Sequence, residues 1–198
     1  VVLSCMFATQ SHYPMFVLMI IAAGVAGYEW FKLMPRTTKN VNKPLAWGFG
    51  LLSAGLATLA LYFNDIALLL WAASILCWLL SLYWVKSYPN YDAWYNSTLK
   101  VVGIVLISSA VTAIFALWKM SPWWLMYLFL LVWGADSGAY FVGRKLGKRK
   151  LAPEVSPNKS LEGLYGGVIT AMIIVVAVEI LYLDLTYAQH LLFLILSV

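Results

Sequence analysis

Long runs without a charged residue recur along this chain, and short stretches between them collect nearly all the charge. Crossing the hydrocarbon core of a bilayer as a helix takes about 20 predominantly apolar residues. Uncharged runs of that order cover 44–64, 66–85 and 101–118, and another starts at Met15 and continues past Glu29 to Leu33. Two more, 123–142 and 163–183, are interrupted only by Asp136 and Glu179. The pattern therefore predicts an all-α, polytopic transmembrane helical bundle with six complete spans. Residues 1–9 read as the tail of an earlier span and 191–198 as the start of a later one. The expected organisation is one transmembrane domain over 1–198, with a basic cytoplasmic loop at 143–162.

Composition agrees with that reading and excludes others. The chain is 63% hydrophobic and 11% charged, whereas soluble domains average about 45–50% apolar and about 25% charged. The net charge of +5 does not indicate nucleic acid, because Lys and Arg sit between apolar runs and form no soluble basic face with aromatics among the charges. Cytoplasmic loops of membrane proteins carry the excess of Lys and Arg. Taking loops alternately, one side holds Lys32, Arg36, Lys39, Lys43, Lys86, Lys100, Arg144, Lys145, Lys148, Arg149, Lys150 and Lys159, and the other holds only Lys119. The side carrying 143–162 is thus expected to be cytoplasmic. Cys5 and Cys77 lie in apolar runs as packing residues, and no disulfide framework follows. The opening run lacks a basic region and a small-residue cleavage site, so it is not read as a secretory signal. Because the sequence opens on Val1 and closes on Val198 inside apolar runs, both ends are expected to be cut.

Small residues such as Gly48, Gly50, Ser53 and Gly55 recur within the spans, where they are expected to let helix backbones approach. Corresponding broken helices in two halves, expected of an inverted-repeat transporter, are not seen. Asp136 stands out, since an ionisable residue inside a span is costly and usually faces a bundle interior or a wet cavity. At helical spacing it shares a face with Trp133, Ser137 and Tyr140, beside the small pair Gly134 and Gly138. It is either a structural acid satisfied by Ser137 or a neighbouring helix, or a site acid in a polar cavity. Arg144, Lys145, Lys148, Arg149 and Lys150 then bring five cations to the membrane surface, which serve orientation and attraction to anionic lipid in any case. Pro153, Pro157 and Asn158 break helix, and a span restarts near Leu161 with Ser160 as N-cap. A helix N-terminus presents unpaired N–H groups, so Lys159 and Ser160 suit a phosphate there. This is no Walker loop: Asn158 precedes Lys159, and Pro153 stands where the first Gly belongs. Glu162 in the first turn also suits the helix dipole. The residues by themselves lead to an anion site at the membrane face.

The segments LVWGADSGAYFVGRKLGKRKLAP and VSPNKSLEGLYGG together resemble the central region of bacterial phosphatidate cytidylyltransferases (CDP-diacylglycerol synthases), which carry a similar WGADSGAY…GK…LAP…SPxK[ST]xEG…GG pattern. The likeness runs over about 35 residues; elsewhere the spans match only as hydrophobic helices, with a Glu29-Trp30 pair in a similar place. The resemblance implies a reaction in which the phosphate of phosphatidate attacks the α-phosphorus of CTP, giving CDP-diacylglycerol and pyrophosphate with Mg²⁺. It implies that Ser156, Lys159, Ser160 and Glu162 serve the triphosphate end of the site. Asp136 would belong to its intramembrane cavity, with Asp136 and Lys159 as the catalytic pair. Arg144, Lys145 and Lys148 would bind the phosphatidate head group or the triphosphate.

The partners implied are CTP, phosphatidate and the lipid bilayer of a bacterial inner membrane, with no nucleic acid. The oligomeric state stays open, a homodimer among the options. The family's C-terminal signature of metal-binding carboxylates is absent before Val198, so the main Mg²⁺ ligands are expected beyond it, and residues 1–198 alone are expected to be inactive. Glu179, Asp184, His12 and His190 read as interfacial, and neither His has a metal-site spacing. Two rivals stay open: a CTP-dependent polyprenol or lipid kinase, and a transporter with Asp136 on its permeation path.

Overall fold

Each of the six predicted complete spans becomes one helix. In the computed structural model the described residues are 2–7, 11–33, 43–87, 97–154 and 156–182. They form α1 (Val2–Phe7), α2 (Tyr13–Lys32), α3 (Lys43–Tyr62), α4 (Asn64–Ser87), α5 (Ser97–Met120), α6 (Pro122–Leu146), β1 (Lys150–Ala152), β2 (Ser156–Ser160) and α7 (Leu161–Tyr182). Every helix but α1 is long and apolar enough to cross a membrane, since 20 residues rise about 30 Å. Several begin where the sequence favours a helix start, with Pro14, Pro44 and Pro122 in the first turn, where the missing N–H costs nothing. Arg36, Lys39, Asp92, Asp184, His190 and the partial span at 191–198 lie outside the described residues.

The chain divides into two compact units, Val1–Pro122 and Trp123–Val198. In the first, burial is inverted relative to a soluble protein. Its inner faces are built largely from small residues, among them Ala23 and Gly27 of α2 and Ala46, Gly50, Ser53 and Ala57 of α3. Large aliphatics face outward, with Leu51 and Leu69 each 71% exposed. Lipid tails are as apolar as Leu, so helices associate by close packing and hydrogen bonding rather than by hiding Leu. A Cβ added at Gly50 would lie 2.5 Å from the Gly24 carbonyl oxygen, and one at Gly27 would lie 2.6 Å from Ser53 Oγ. Gly48 and Gly55 meet nothing within 4 Å, so of the four small positions expected to bring helices together only Gly50 and Ser53 do so.

Within this unit, polar side chains tie α2, α3 and α4 to α5. Ser108 Oγ donates to the Ser53 carbonyl at 3.1 Å, and Trp71 Nε1 donates to Thr112 Oγ1 at 3.1 Å. Trp30 Nε1 donates to the Leu99 carbonyl at 3.0 Å, and its indole occupies the space that any side chain at Gly103 would need. Glu29, in contrast, pairs locally with Lys32 at 2.9 Å.

The second unit departs from the sequence reading in one element. Within the 143–162 segment, expected as a loop, Lys150–Ala152 and Ser156–Ser160 pair as antiparallel strands, with Lys150 opposite Ser160 and Ala152 opposite Ser156. Helix α6 also runs on to Leu146, so Arg144 and Lys145 occupy its last turn, where cations complement the helix dipole. Glu179 is buried at 5% exposure in the last turn of α7.

Candidate functional site

The site begins with glycine. A Cβ at Gly138 of α6 would stand 2.8 Å from the Gly166 carbonyl oxygen of α7, and one at Gly163 would stand 3.0 Å from the Ala139 carbonyl oxygen. Backbone therefore meets backbone along this antiparallel pair, an approach that a larger side chain prevents. Trp133 and Ser137, placed on the Asp136 face by helical spacing, do not join the site: Trp133 stacks on Phe129 at 5.3 Å between ring centroids.

The connection is held by its own carboxylate and hydroxyl. Glu162 Oε2 accepts the backbone N–H groups of Lys148 and Arg149 at 3.0 and 3.1 Å, and its Oε1 accepts Arg149 Nε at 3.0 Å. This hydrogen bond raises the Arg149 guanidinium above its ordinary value. Leu161 N donates to the Arg149 carbonyl at 2.9 Å. Ser160 Oγ accepts Gly163 N–H at 3.2 Å, the N-cap expected of it. The chain is thereby folded back so that β2 lies against the end of α6, and α7 starts beside it.

These elements enclose a cavity of about 780 Å³. Asp136, Tyr140 and Arg144 line it from α6 as a ladder at every fourth residue, and Asn158, Lys159 and Ser160 line it from β2. Arg144 Nη1 donates to Tyr140 Oη at 2.9 Å, which fixes the guanidinium at the wall. Of the eight residues proposed from sequence, Asp136, Arg144, Lys159 and Ser160 come together here. Lys145, Lys148, Ser156 and Glu162 do not line the cavity: Lys148 and Glu162 are joined in the clamp, and Ser156 lies at the far end of the hairpin. Tyr140 and Asn158 were missed as site residues. The i, i+4 spacing of Tyr140 from both Asp136 and Arg144 was the available signal for the first; Asn158 gave none beyond its place beside Lys159.

Two cations and the start of a helix favour a phosphate-bearing ligand. Asp136 in the same cavity would repel that ligand unless a cation stood between them. Mg²⁺ is commonly held by one or two carboxylates together with substrate phosphates, and Asp136 fits the protein's share of such a site. Among the described residues there is no group of three or more His, Cys, Asp or Glu able to hold a metal alone.

Comparison with known proteins finds similar sequences. A phosphatidate cytidylyltransferase of Haemophilus influenzae is 68% identical over 50 residues, 25% of this chain and 17% of that protein. One of Bacillus subtilis is 53% identical over 51 residues, 26% of the chain and 19% of the relative. One of Pseudomonas aeruginosa is 38% identical over 98 residues, 48% of the chain and 36% of the relative. The matched parts thus cover well under half of each relative's length. The sequence profile of the cytidylyltransferase family matches residues 1–198 from end to end, and the chain belongs to that family.

Proposed function

We propose that this chain is the part of a membrane-embedded phosphatidate cytidylyltransferase that holds the reacting phosphates. The observation that carries the reading is the convergence of Asp136, Arg144, Lys159 and Ser160 on one cavity between α6, β2 and α7. A phosphate oxygen of phosphatidate attacks the α-phosphorus of CTP. The bond from that phosphorus to the bridging oxygen of the β-phosphate breaks, and pyrophosphate leaves with the bonding electrons. Little covalent work falls to the protein in such a transfer, which depends chiefly on positioning and charge neutralisation.

Lys159 and Arg144 neutralise phosphate oxygens on the two reacting molecules, Lys159 from the hairpin and Arg144 from the end of α6. Tyr140 holds the Arg144 guanidinium in the cavity wall through the Nη1–Oη hydrogen bond. Ser160 caps α7, and with Lys159 it positions the triphosphate at the start of that helix. Asp136, on the wall of the same cavity, would hold Mg²⁺, which when bound would supply charge neutralisation. Glu162 and Arg149 keep the hairpin in place and act through Lys159.

The reaction is proposed at the cytoplasmic face of a bacterial inner membrane, where CTP is available and where the lopsided distribution of Lys and Arg would set the hairpin. The test is CTP labelled at either the α- or the γ-phosphate, supplied with phosphatidate and Mg²⁺. Lipid labelled from the α-position supports cytidylyl transfer, whereas lipid labelled from the γ-position would make the protein a kinase.

A further inference from the structure

Among the described residues, Arg144 and Lys159 stand in the cavity without a carboxylate partner. The ion pairs found there join Lys32 to Glu29 and Arg149 to Glu162, so those two charges are offset locally. Arg144 has a different partner. Its Nη1 donates to Tyr140 Oη at 2.9 Å, and its guanidinium lies 5.9 Å from the centre of the Tyr140 ring. A neutral hydroxyl orients a guanidinium without cancelling its charge. Asp136 does not cancel it either, being eight residues away along α6, about 12 Å of helix rise.

The hydroxyl has a second consequence. Its oxygen accepts from Arg144, and its own hydrogen has no acceptor among the described residues. Tyr140 and Arg144 both line the cavity. The Tyr140 O–H and the remaining N–H groups of Arg144 are therefore neighbouring donors, with heavy atoms 2.9 Å apart. Two oxygens on one phosphorus are spaced similarly, so one phosphate can accept from both residues at once. Resting on the reading of the cavity as a phosphatidate site, we infer that Tyr140 touches the substrate. With Arg144 it forms a two-donor fork that holds two oxygens of the phosphatidate phosphate and turns the third across the cavity toward Lys159 and Ser160.

Such a fork selects as well as orients. A phosphomonoester has three unesterified oxygens and a phosphodiester has two. Held in the fork, a monoester presents a bare oxygen to the α-phosphorus of CTP. A diester presents its second ester group in the same place and collides with the nucleotide. The pair thus fixes which oxygen attacks and rejects phosphodiester lipids of the surrounding bilayer. Tyr140 donates a hydrogen bond and keeps its proton throughout, so no acid or base step falls to it.

The experiment uses the full-length protein in detergent with Mg²⁺ and the α,β-methylene analogue of CTP, which cannot release pyrophosphate. Calorimetry compares dihexanoyl phosphatidate with its phosphomethyl ester, a diester carrying the same acyl chains. The wild type should bind the monoester more tightly. Tyr140→Phe keeps the ring beside Arg144 and Phe141 and removes only the hydroxyl. It should shrink that preference about 10-fold, the scale of one hydrogen bond to a charged group, and leave the affinity for the CTP analogue unchanged. With CTP itself, kcat for phosphatidate should fall about 10- to 100-fold at unchanged KM for CTP, because the attacking oxygen is no longer aimed. Arg144→Lys keeps the charge but loses the planar fork, and should shrink the preference likewise. An unchanged preference in Tyr140→Phe, or an equal loss of affinity for monoester and diester, overturns the inference. A parallel loss of affinity for the nucleotide also overturns it, since Tyr140 would then act on the cavity as a whole. Failure of the wild type to make a CDP-lipid from CTP would instead refute the proposed reaction, and the binding preference still decides the fork without turnover.

Discussion

Lys159 and Asp136 reach the cavity from opposite backgrounds, one from an exposed strand and one from within an apolar helix, and their predicted effects differ accordingly. A Lys159 ammonium that holds a triphosphate oxygen through the transition state makes a charge-assisted hydrogen bond. Lys159→Ala should then lower kcat/KM for CTP on the order of 10²-fold, read by initial rates with phosphatidate in excess. Asp136→Asn removes the charge that the proposed divalent cation would require but keeps the shape of the side chain. It should depress kcat steeply, shift the Mg²⁺ requirement upward, and leave the amount of membrane-inserted protein unchanged. Asp136 was legible in the sequence because a single acid in an uncharged run is conspicuous. Glu162 was legible as a first-turn acid, but its partners were not. They are two N–H groups and a guanidinium thirteen and fourteen residues earlier, and they become neighbours only when the connection folds back.

The helices were legible as elements because a span is set by length and hydropathy alone, and each predicted run has its helix. The hairpin was not, since Ser156-Pro157-Asn158-Lys159-Ser160 combines residues with low strand preference. It forms because Glu162 and Arg149 close it from outside. Replacing Glu162 with Gln keeps the volume and removes the charge. Amide exchange at Lys148 and Arg149 should then quicken on the order of 10-fold, as local opening becomes easier, and KM for CTP should rise while α6 and α7 stay folded. Glycine substitutions separate packing from mere occurrence within a span. Gly138→Val sets branched carbon against the Gly166 carbonyl, and overpacking of this kind typically costs about 1–3 kcal/mol. Gly55→Ala enters open space and removes a flexible residue from a helix interior, a change worth roughly 0.5–1 kcal/mol in favour of folding. Thermal unfolding in detergent should fall for the first variant and hold or rise for the second.

Along the whole chain, the sequence separates loops rich in Lys and Arg from loops nearly without them, and within the first unit the helix ends follow that alternation. Lys32, Lys43, Lys86 and Lys100 stand at ends of α2 to α5 opposite to those carrying Asp65 and Lys119. Topology reporters fused after Lys43, Lys86 or Lys150 should therefore report the cytoplasm, and one after Asp65 the opposite side. Which residues converge on the cavity was only half legible, because helical periodicity fixes neighbours along α6 but not which strand residue lies across from them. The central claim is that this cavity transfers a cytidylyl group to phosphatidate, and one measurement tests it most directly. Full-length protein, wild type and the Lys159→Ala and Asp136→Asn variants, is incubated with phosphatidate, Mg²⁺ and CTP labelled at the α-phosphate, and labelled lipid is quantified. The account predicts CDP-diacylglycerol from the wild type and, from each variant, a loss on the order of 10²-fold or more at equal membrane insertion. Wild-type turnover in both variants, or no labelled lipid from the wild type, would contradict it.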